Sequence, residues 1–155
     1  KELLSEKIHL ETVVRELIED FTYLENFDKI KFKFDFGTEY ILSDKFLLKV
    51  ILSNLISNAI KYQKVDRAHK PFISISCKEE GGLTKIKIED NGEGIPPQSQ
   101  GKIFEMFYRG SSTSTGSGLG LYISKEAVEK LNGTIQMSSV LGKGSSFIIS
   151  IPSST

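Results

Sequence analysis

Four short stretches of this sequence carry side chains whose types and spacing suit chemistry. In the first, Asn54, Asn58 and Lys61 fall at i, i+4 and i+7, so two carboxamides and an ammonium share one stripe of a helix. Leu47 and Ile51 sit beside that stripe, so it is not the plainly solvated face. A side-chain amide in such a place needs partners, and an internal hydrogen bond or a helix-end contact is the ordinary explanation. The chemical explanation is that amide oxygens are neutral hard ligands, suited to Mg²⁺ already neutralised by phosphates, with a lysine one turn on for a phosphate.

The second stretch ends a strand. Ile86 and Ile88 alternate with Lys85, Lys87 and Glu89, which puts Asp90 in phase with the isoleucines and toward the core side. A carboxylate there is costly unless it accepts good hydrogen bonds. A turn-capping aspartate before Asn91-Gly92 is the plain reading. The functional one is an acceptor in an apolar pocket awaiting a donor such as an exocyclic amine, with Gly92 and Gly94 letting a flat ligand approach the backbone.

The third stretch, GSGLGLYIS from Gly116 to Ser124, is a glycine-rich loop opening into a helix, where free backbone N–H groups and the helix dipole favour an anion. It has neither the Walker spacing nor a dinucleotide fingerprint after a strand, and alone it reads as an ordinary flexible turn. The fourth is IFEMFYRG, Ile103 to Gly110, in which Ile103–Tyr108 reads as a short aromatic helix with Phe104 and Phe107 packed on the core. Arg109 then stands at the edge of Gly110–Ser117, a run of only Gly, Ser and Thr expected to act as a mobile lid, where it can reach a phosphate.

These stretches need elements to hold them. Apolar residues Val13, Val14, Leu17, Ile18 and Phe21 predict a helix over Glu11–Leu24. Alternation predicts a half-buried strand at Ile30–Phe36, and Tyr40–Leu42 reads as a short second strand. Ser43-Asp44 caps a helix running to about Tyr62, with Leu48, Leu52, Leu55, Ala59 and Tyr62 as its core stripe. Strands follow at Phe72–Cys77 and Thr84–Glu89, then a helix at Leu119–Leu131 ended by Asn132-Gly133, then strands at Thr134–Ser138 and Ser145–Ile151. Strands come mostly in hairpin-like pairs. The expected architecture is a two-layer α/β (α+β) sandwich: a mixed, mostly antiparallel sheet with helices on one face.

At 155 residues the chain is one domain with a core large enough to fold alone. Its 20 basic and 20 acidic residues cancel, which argues against a chain that coats nucleic acid. One cysteine, Cys77, makes neither an internal disulfide nor a multi-cysteine zinc site and fits a reducing compartment; two histidines, His9 and His69, make a multi-histidine metal centre unexpected. No apolar run approaches a membrane span. The chain opens on Lys1 inside a helical pattern, as a piece of something longer would.

Taken together, NLISNAIKY (Asn54–Tyr62), DNGEGIP (Asp90–Pro96), FEMFYR (Phe104–Arg109) and GSGLGL (Gly116–Leu121) resemble, in order and spacing, the N, G1, F and G2 boxes of the catalytic, ATP-binding domain of two-component sensor histidine kinases. That domain has the Bergerat fold shared with gyrase, Hsp90 and MutL. The ending GKGSSFIISIP resembles the family's last glycine turn and strand, so the resemblance runs from about Ile8 to Pro152.

The resemblance implies roles. Asp90 matches the aspartate that hydrogen-bonds the adenine amine, and Gly92 and Gly94 the glycines beside the base, with Ile95 next to them. Asn58 matches the asparagine that ligates Mg²⁺, with Asn54 one turn earlier on the same cation or phosphate side. Lys61 matches a phosphate-contacting lysine and Tyr62 an aromatic near the nucleotide. Gly116, Gly118, Leu119 and Gly120 match the phosphate-side loop. Phe107 belongs to the ATP-binding set, and Arg109 matches an arginine reaching the γ-phosphate. Ser145 stands where relatives often have Thr, in phase with Phe147. ATP and Mg²⁺ are the implied ligands.

Hydrolysing members of the superfamily carry a glutamate as general base where this chain has Asn54, which favours phosphoryl transfer to another nucleophile over hydrolysis. The family's phospho-accepting histidine is followed by an acidic residue and then a proline; neither His9 nor His69 stands in such a motif. The expected organisation is residues 1–7 as the end of a dimerisation helix or a linker and 8–155 as the catalytic domain. The expected partners are the parent's own dimerisation and phosphoacceptor domain and, indirectly, a response regulator, with a monomeric isolated domain in the cytoplasm that touches neither nucleic acid nor membrane. An ATP-driven clamp of the gyrase or MutL type and a binding module with a dead nucleotide site are the alternatives. Stimulus and cognate regulator lie outside these residues.

Overall fold

The computed structural model describes residues 2–106, 108 and 118–153. Phe107, Arg109, Gly116 and the expected lid over Gly110–Ser117 lie outside them.

The chain runs β1 (Ser5–His9), α1 (Leu10–Glu19), β2 (Lys31–Phe36), β3 (Tyr40–Asp44), α2 (Lys45–Lys61), β4 (Phe72–Glu80), β5 (Leu83–Asp90), α3 (Pro97–Gln100), α4 (Gly120–Lys130), β6 (Thr134–Val140) and β7 (Gly144–Pro152). Five strands form one sheet in the order β2-β4-β5-β7-β6, in which only the β2–β4 pair is parallel. The inner positions of β4, β5 and β7 (Ile73, Ile75, Ile86, Ile88, Phe147, Ile149) are buried under α2 and its neighbours, while the alternate positions face outward. This is the expected mixed, mostly antiparallel sheet with helices on one face.

α2 starts where the sequence predicts. Asp44 caps it, its Oδ1 accepting from Leu47 N–H at 3.0 Å, and Tyr62 closes it, its N–H donating to the Asn58 carbonyl at 3.1 Å. Leu48, Leu52, Leu55 and Ala59 are core residues as expected, joined by Ile51, Ile56 and Ile60. So broad an apolar belt follows from the position of α2, which has the sheet beneath it and α1 and α4 against its sides. Tyr62 departs from the expected stripe: it is 37% exposed at the helix end.

Four local expectations change. Ser5–His9, expected as a helix end or linker leading into a domain from residue 8, is a strand paired antiparallel with β3, so that boundary falls inside it. Ile8 and Ile41 face each other in this register and are buried, which is what favours the strand. β2 and β3 therefore form no hairpin. β2 pairs with β4 and β3 with β1. The first helix ends at Glu19 and gives way to separate turns through Leu24. The aromatic segment after Gly101 is likewise a chain of turns, because its N–H groups donate three residues back in isolated steps (Glu105 to Lys102, Tyr108 to Glu105). Its packing is still as expected for Phe104, whose ring meets Phe147 edge-on at 6.2 Å.

Candidate functional site

Asp90 is the last residue of β5, opposite Ser145 of β7. Its side chain lies on the face of Ile86 and Ile88, as the alternation predicts. Its Oδ1 accepts from Gly92 N–H at 2.8 Å. Burial pushes its carboxyl from 3.8 up to about 6, while the backbone N–H groups of Gly92 and Ser145 pull it the other way. At neutral pH the group is an ionised acceptor with lone pairs left over, held in a poorly solvated place.

The loop after Asp90 is bonded at almost every step. Gly92 lies so close to the end of α2 that an added Cβ would collide with the Tyr62 carbonyl, the same oxygen that accepts from Glu93 N–H at 2.9 Å. Gly94 has φ +74°, and a Cβ there would run into the Val140 carbonyl at the end of β6. The sequence suggested that these glycines make room for a flat ligand. In the structure, protein fills the side-chain space at both, so tight loop packing alone accounts for them. The Glu93 carbonyl accepts from Gly142 N–H at 2.7 Å.

Sequence reasoning missed three residues that hold this loop. Ser139 Oγ accepts from Ile95 N–H at 2.8 Å, and Gln100 Nε2 donates to the Ile95 carbonyl at 2.9 Å. Asn91 faces away from the site: its Oδ1 accepts from Phe72 N–H at 2.8 Å and its Nδ2 donates to the Lys70 carbonyl at 2.9 Å. The signal for Ser139 was present, since it alternates in phase with the half-buried Ile135 and Met137.

On the other side, α2 carries Asn54 and Asn58 half-buried, with Lys61 exposed at its end. Among the described residues neither amide side chain has a hydrogen-bond partner, and Lys61 has no ion pair. The internal bond that would make these asparagines merely structural is not formed among those residues. The start of α4 packs here: a Cβ on Gly120 would sit 3.6 Å from Asn54 Oδ1. Gly118 has φ +79°, and Leu119, at the N-cap, supplies no side-chain bond to the first helical N–H groups. α2 is thus the shared wall, with the Asp90 loop at its C-terminal end and the entry of α4 beside Asn54.

Ser145 lies on the Asp90 face, and its hydroxyl is engaged with Ser139 Oγ at 2.9 Å. His9 caps α1, its Nδ1 accepting from Thr12 N–H at 3.3 Å, and His69 Nε2 bonds Gln63 Oε1 at 2.9 Å. No group of three or more His, Cys, Asp or Glu among the described residues can hold a metal. Any cation here would rest on neutral amide oxygens and a ligand's own phosphates, a donor set that fits Mg²⁺.

Comparison with known proteins identifies the family. Residues 43–155 match the model of the histidine kinase-, DNA gyrase B- and HSP90-like ATPases. The sensor-like histidine kinase SenX3 of Mycobacterium tuberculosis is 40% identical over 116 residues, covering 72% of this chain and 27% of SenX3. The sensor histidine kinase WalK of Bacillus subtilis is 38% identical over 117 residues, covering 73% of this chain and 19% of WalK. The chain therefore spans about a fifth to a quarter of those relatives. The catalytic domain of the histidine kinase ThkA superposes with a TM-score of 0.81 at 26% identity, covering 99% of this chain and 100% of that one. The chain belongs to the histidine kinase-, DNA gyrase B- and HSP90-like ATPase family, and within it is a catalytic ATPase domain of the sensor histidine kinase kind.

Proposed function

We propose that this chain binds Mg-ATP and presents the γ-phosphate to a histidine on a separate dimerisation and phosphoacceptor domain. The observation that carries the proposal is the convergence on α2: a half-buried carboxylate and its loop at one end, two carboxamides along the same helix that have no partner among the described residues, and a glycine-opened helix entry packed on the first of them. Asp90 reads the adenine amine, with Gly92, Gly94 and Ile95 as the floor beside the base and Tyr62 at its edge. Asn58, with Asn54 a turn before it, would hold Mg²⁺, which spreads charge off the phosphates when bound. Lys61, Gly116, Gly118, Leu119 and Gly120 face the phosphates, Phe107 lies with the nucleotide, and Arg109 reaches the γ-phosphate. Ser145 supports the Asp90 side.

Asn54 cannot usefully take a proton from water at neutral pH, so positioning of another nucleophile is the chemistry left to the site. His9 and His69 are tied into local hydrogen bonds, and neither serves as that nucleophile. In the parent protein the residues ahead of β1 lead in from the dimerisation domain, the chain from β1 onward is the catalytic domain, and a response regulator receives the phosphoryl group afterwards. The domain alone is monomeric and works in the cytoplasm. No helix among the described residues is long and apolar enough to cross a membrane.

The test uses γ-labelled ATP with this chain alone and then with the parent's dimerisation domain added. The chain alone should bind ATP without labelling itself, and the added domain should be labelled weakly, since the tether's effective concentration is lost. Acid-labile label on His9 or His69, or brisk hydrolysis by the chain alone, would falsify the proposal.

A further inference from the structure

The hydroxyl of Ser139 is saturated. Its oxygen accepts from Ile95 N–H at 2.8 Å, donates to the Gly144 carbonyl at 3.0 Å, and lies 2.9 Å from Ser145 Oγ, which completes the set by donating to it. The same residue's carbonyl accepts from Gln100 Nε2 at 3.2 Å, and that amide's other hydrogen goes to the Ile95 carbonyl at 2.9 Å. Ile95 is thereby gripped on both backbone groups. The two ends of the grip fall on either side of Asp90. One is Ile95, five residues past Asp90 along the loop. The other is Ser145, the β7 residue paired with Asp90.

We infer that Ser139, assisted by Gln100, is a positioning residue that sets the geometry of base recognition: it braces the Asp90–Ile95 loop against β7 so that the carboxylate keeps its aim. The inference rests on the reading of Asp90 as the acceptor for an exocyclic amine. A brace is distinct from a stabiliser of the fold. A carboxylate that drifts loses its advantage for a base presenting an amine over one presenting a carbonyl at the same edge, so the selectivity between bases falls. General loosening weakens both nucleotides alike.

The experiment measures, by calorimetry, the affinities of this chain for ATP and for GTP with Mg²⁺, in the unaltered chain and in Ser139→Ala, Ser139→Thr, Gln100→Met and Asp90→Asn. Ser139→Ala leaves the Ile95 N–H and the Ser145 hydroxyl without their partner, and the ATP-over-GTP preference should fall about tenfold. Gln100→Met should lower it in the same direction by a smaller factor, and Ser139→Thr, which keeps the hydroxyl, should restore most of it. If Ser139→Ala does not fold, Gln100→Met carries the test alone. A preference unchanged in both Ser139→Ala and Gln100→Met, or equal losses for ATP and GTP, overturns the brace. The Asp90→Asn arm tells which claim fails: preference lost there but kept in the other variants removes the brace alone, while preference kept in all of them removes the reading of Asp90 and the brace with it.

Discussion

The proposed base side and the proposed phosphate side of the site are built on opposite plans. From Asp90 to Ile95 the backbone is bonded to α2, to the β6–β7 turn, to Ser139 and to Gln100, before any ligand arrives. Along α2 the carboxamides of Asn54 and Asn58 have no partner among the described residues, and the entry of α4 lies against Asn54 with no side-chain cap. The first region has already met the cost of holding its polar groups in place. The second leaves its polar groups for water or a ligand. Under the proposed function, selectivity between bases belongs to the braced region, and the handling of phosphate and metal to one that the ligand completes.

Three experiments break or sharpen this contrast. The largest effect is expected for Asp90→Asn. Gly92 N–H fixes Oδ1 as the acceptor on one side of the group, so the new Nδ2 is turned toward the amine it should accept from. A donor then faces a donor, at a cost of about 2–4 kcal/mol, or about 30- to 1000-fold in ATP affinity. Calorimetry on a folded variant with near-unchanged affinity would remove the rigid half of the comparison.

The next effect is a pH dependence with two opposite signs. The Asp90 carboxyl titrates near 6 in the folded chain and near 3.8 when unfolded. Between those values the folded state holds more protons. Its contribution to stability is fully present below about pH 4 and is lost as pH rises through about 6, and it amounts to at most about 3 kcal/mol. Nucleotide affinity runs the other way and falls as pH drops below about 6, because a protonated carboxyl is a poorer acceptor. Denaturant melts and ADP titrations of the unaltered chain and Asp90→Asn over this range check both. A pH profile identical in the two proteins would count against Asp90 as the acceptor.

The smallest effect concerns the open half. Asn58→Ala should weaken Mg-ATP by about tenfold and metal-free ATP by less than about twofold. Equal losses would mean that Asn58 shapes the helix and does not face the ligand.

The sequence showed the individual positions better than it showed their supports. Alternation placed Asp90 on the inner face, and helical spacing put Asn54, Asn58 and Lys61 in one stripe, because both signals depend only on neighbours along one element. It missed that Ser5–His9 is a strand, since the partner lies across the intervening α1 helix and β2, in Tyr40–Asp44. It grouped the strands mostly into hairpin-like pairs because adjacent strands usually pair, whereas β2 runs parallel to β4, which follows α2 in the chain. Ser139 and Gln100 went unread for a similar reason. Their targets are backbone groups of Ile95, up to 44 positions away in the chain, and the alternation that turns Ser139 inward does not say what its hydroxyl holds.

Asn91 has a bearing on how genetic data from this chain should be read. In the β4–β5 register Ile73 faces Asp90, so Phe72 would face Asn91 next. There the backbone turns away toward Gly92, and the Asn91 side chain takes over the pairing with Phe72 and Lys70. Two adjacent residues of one motif thus serve different clients: Asp90 looks into the site, and Asn91 ties off the sheet behind it. A loss-of-function phenotype at position 91 reports on the hem of the sheet and is no evidence of contact with a nucleotide, however close it maps to residues proposed to make one.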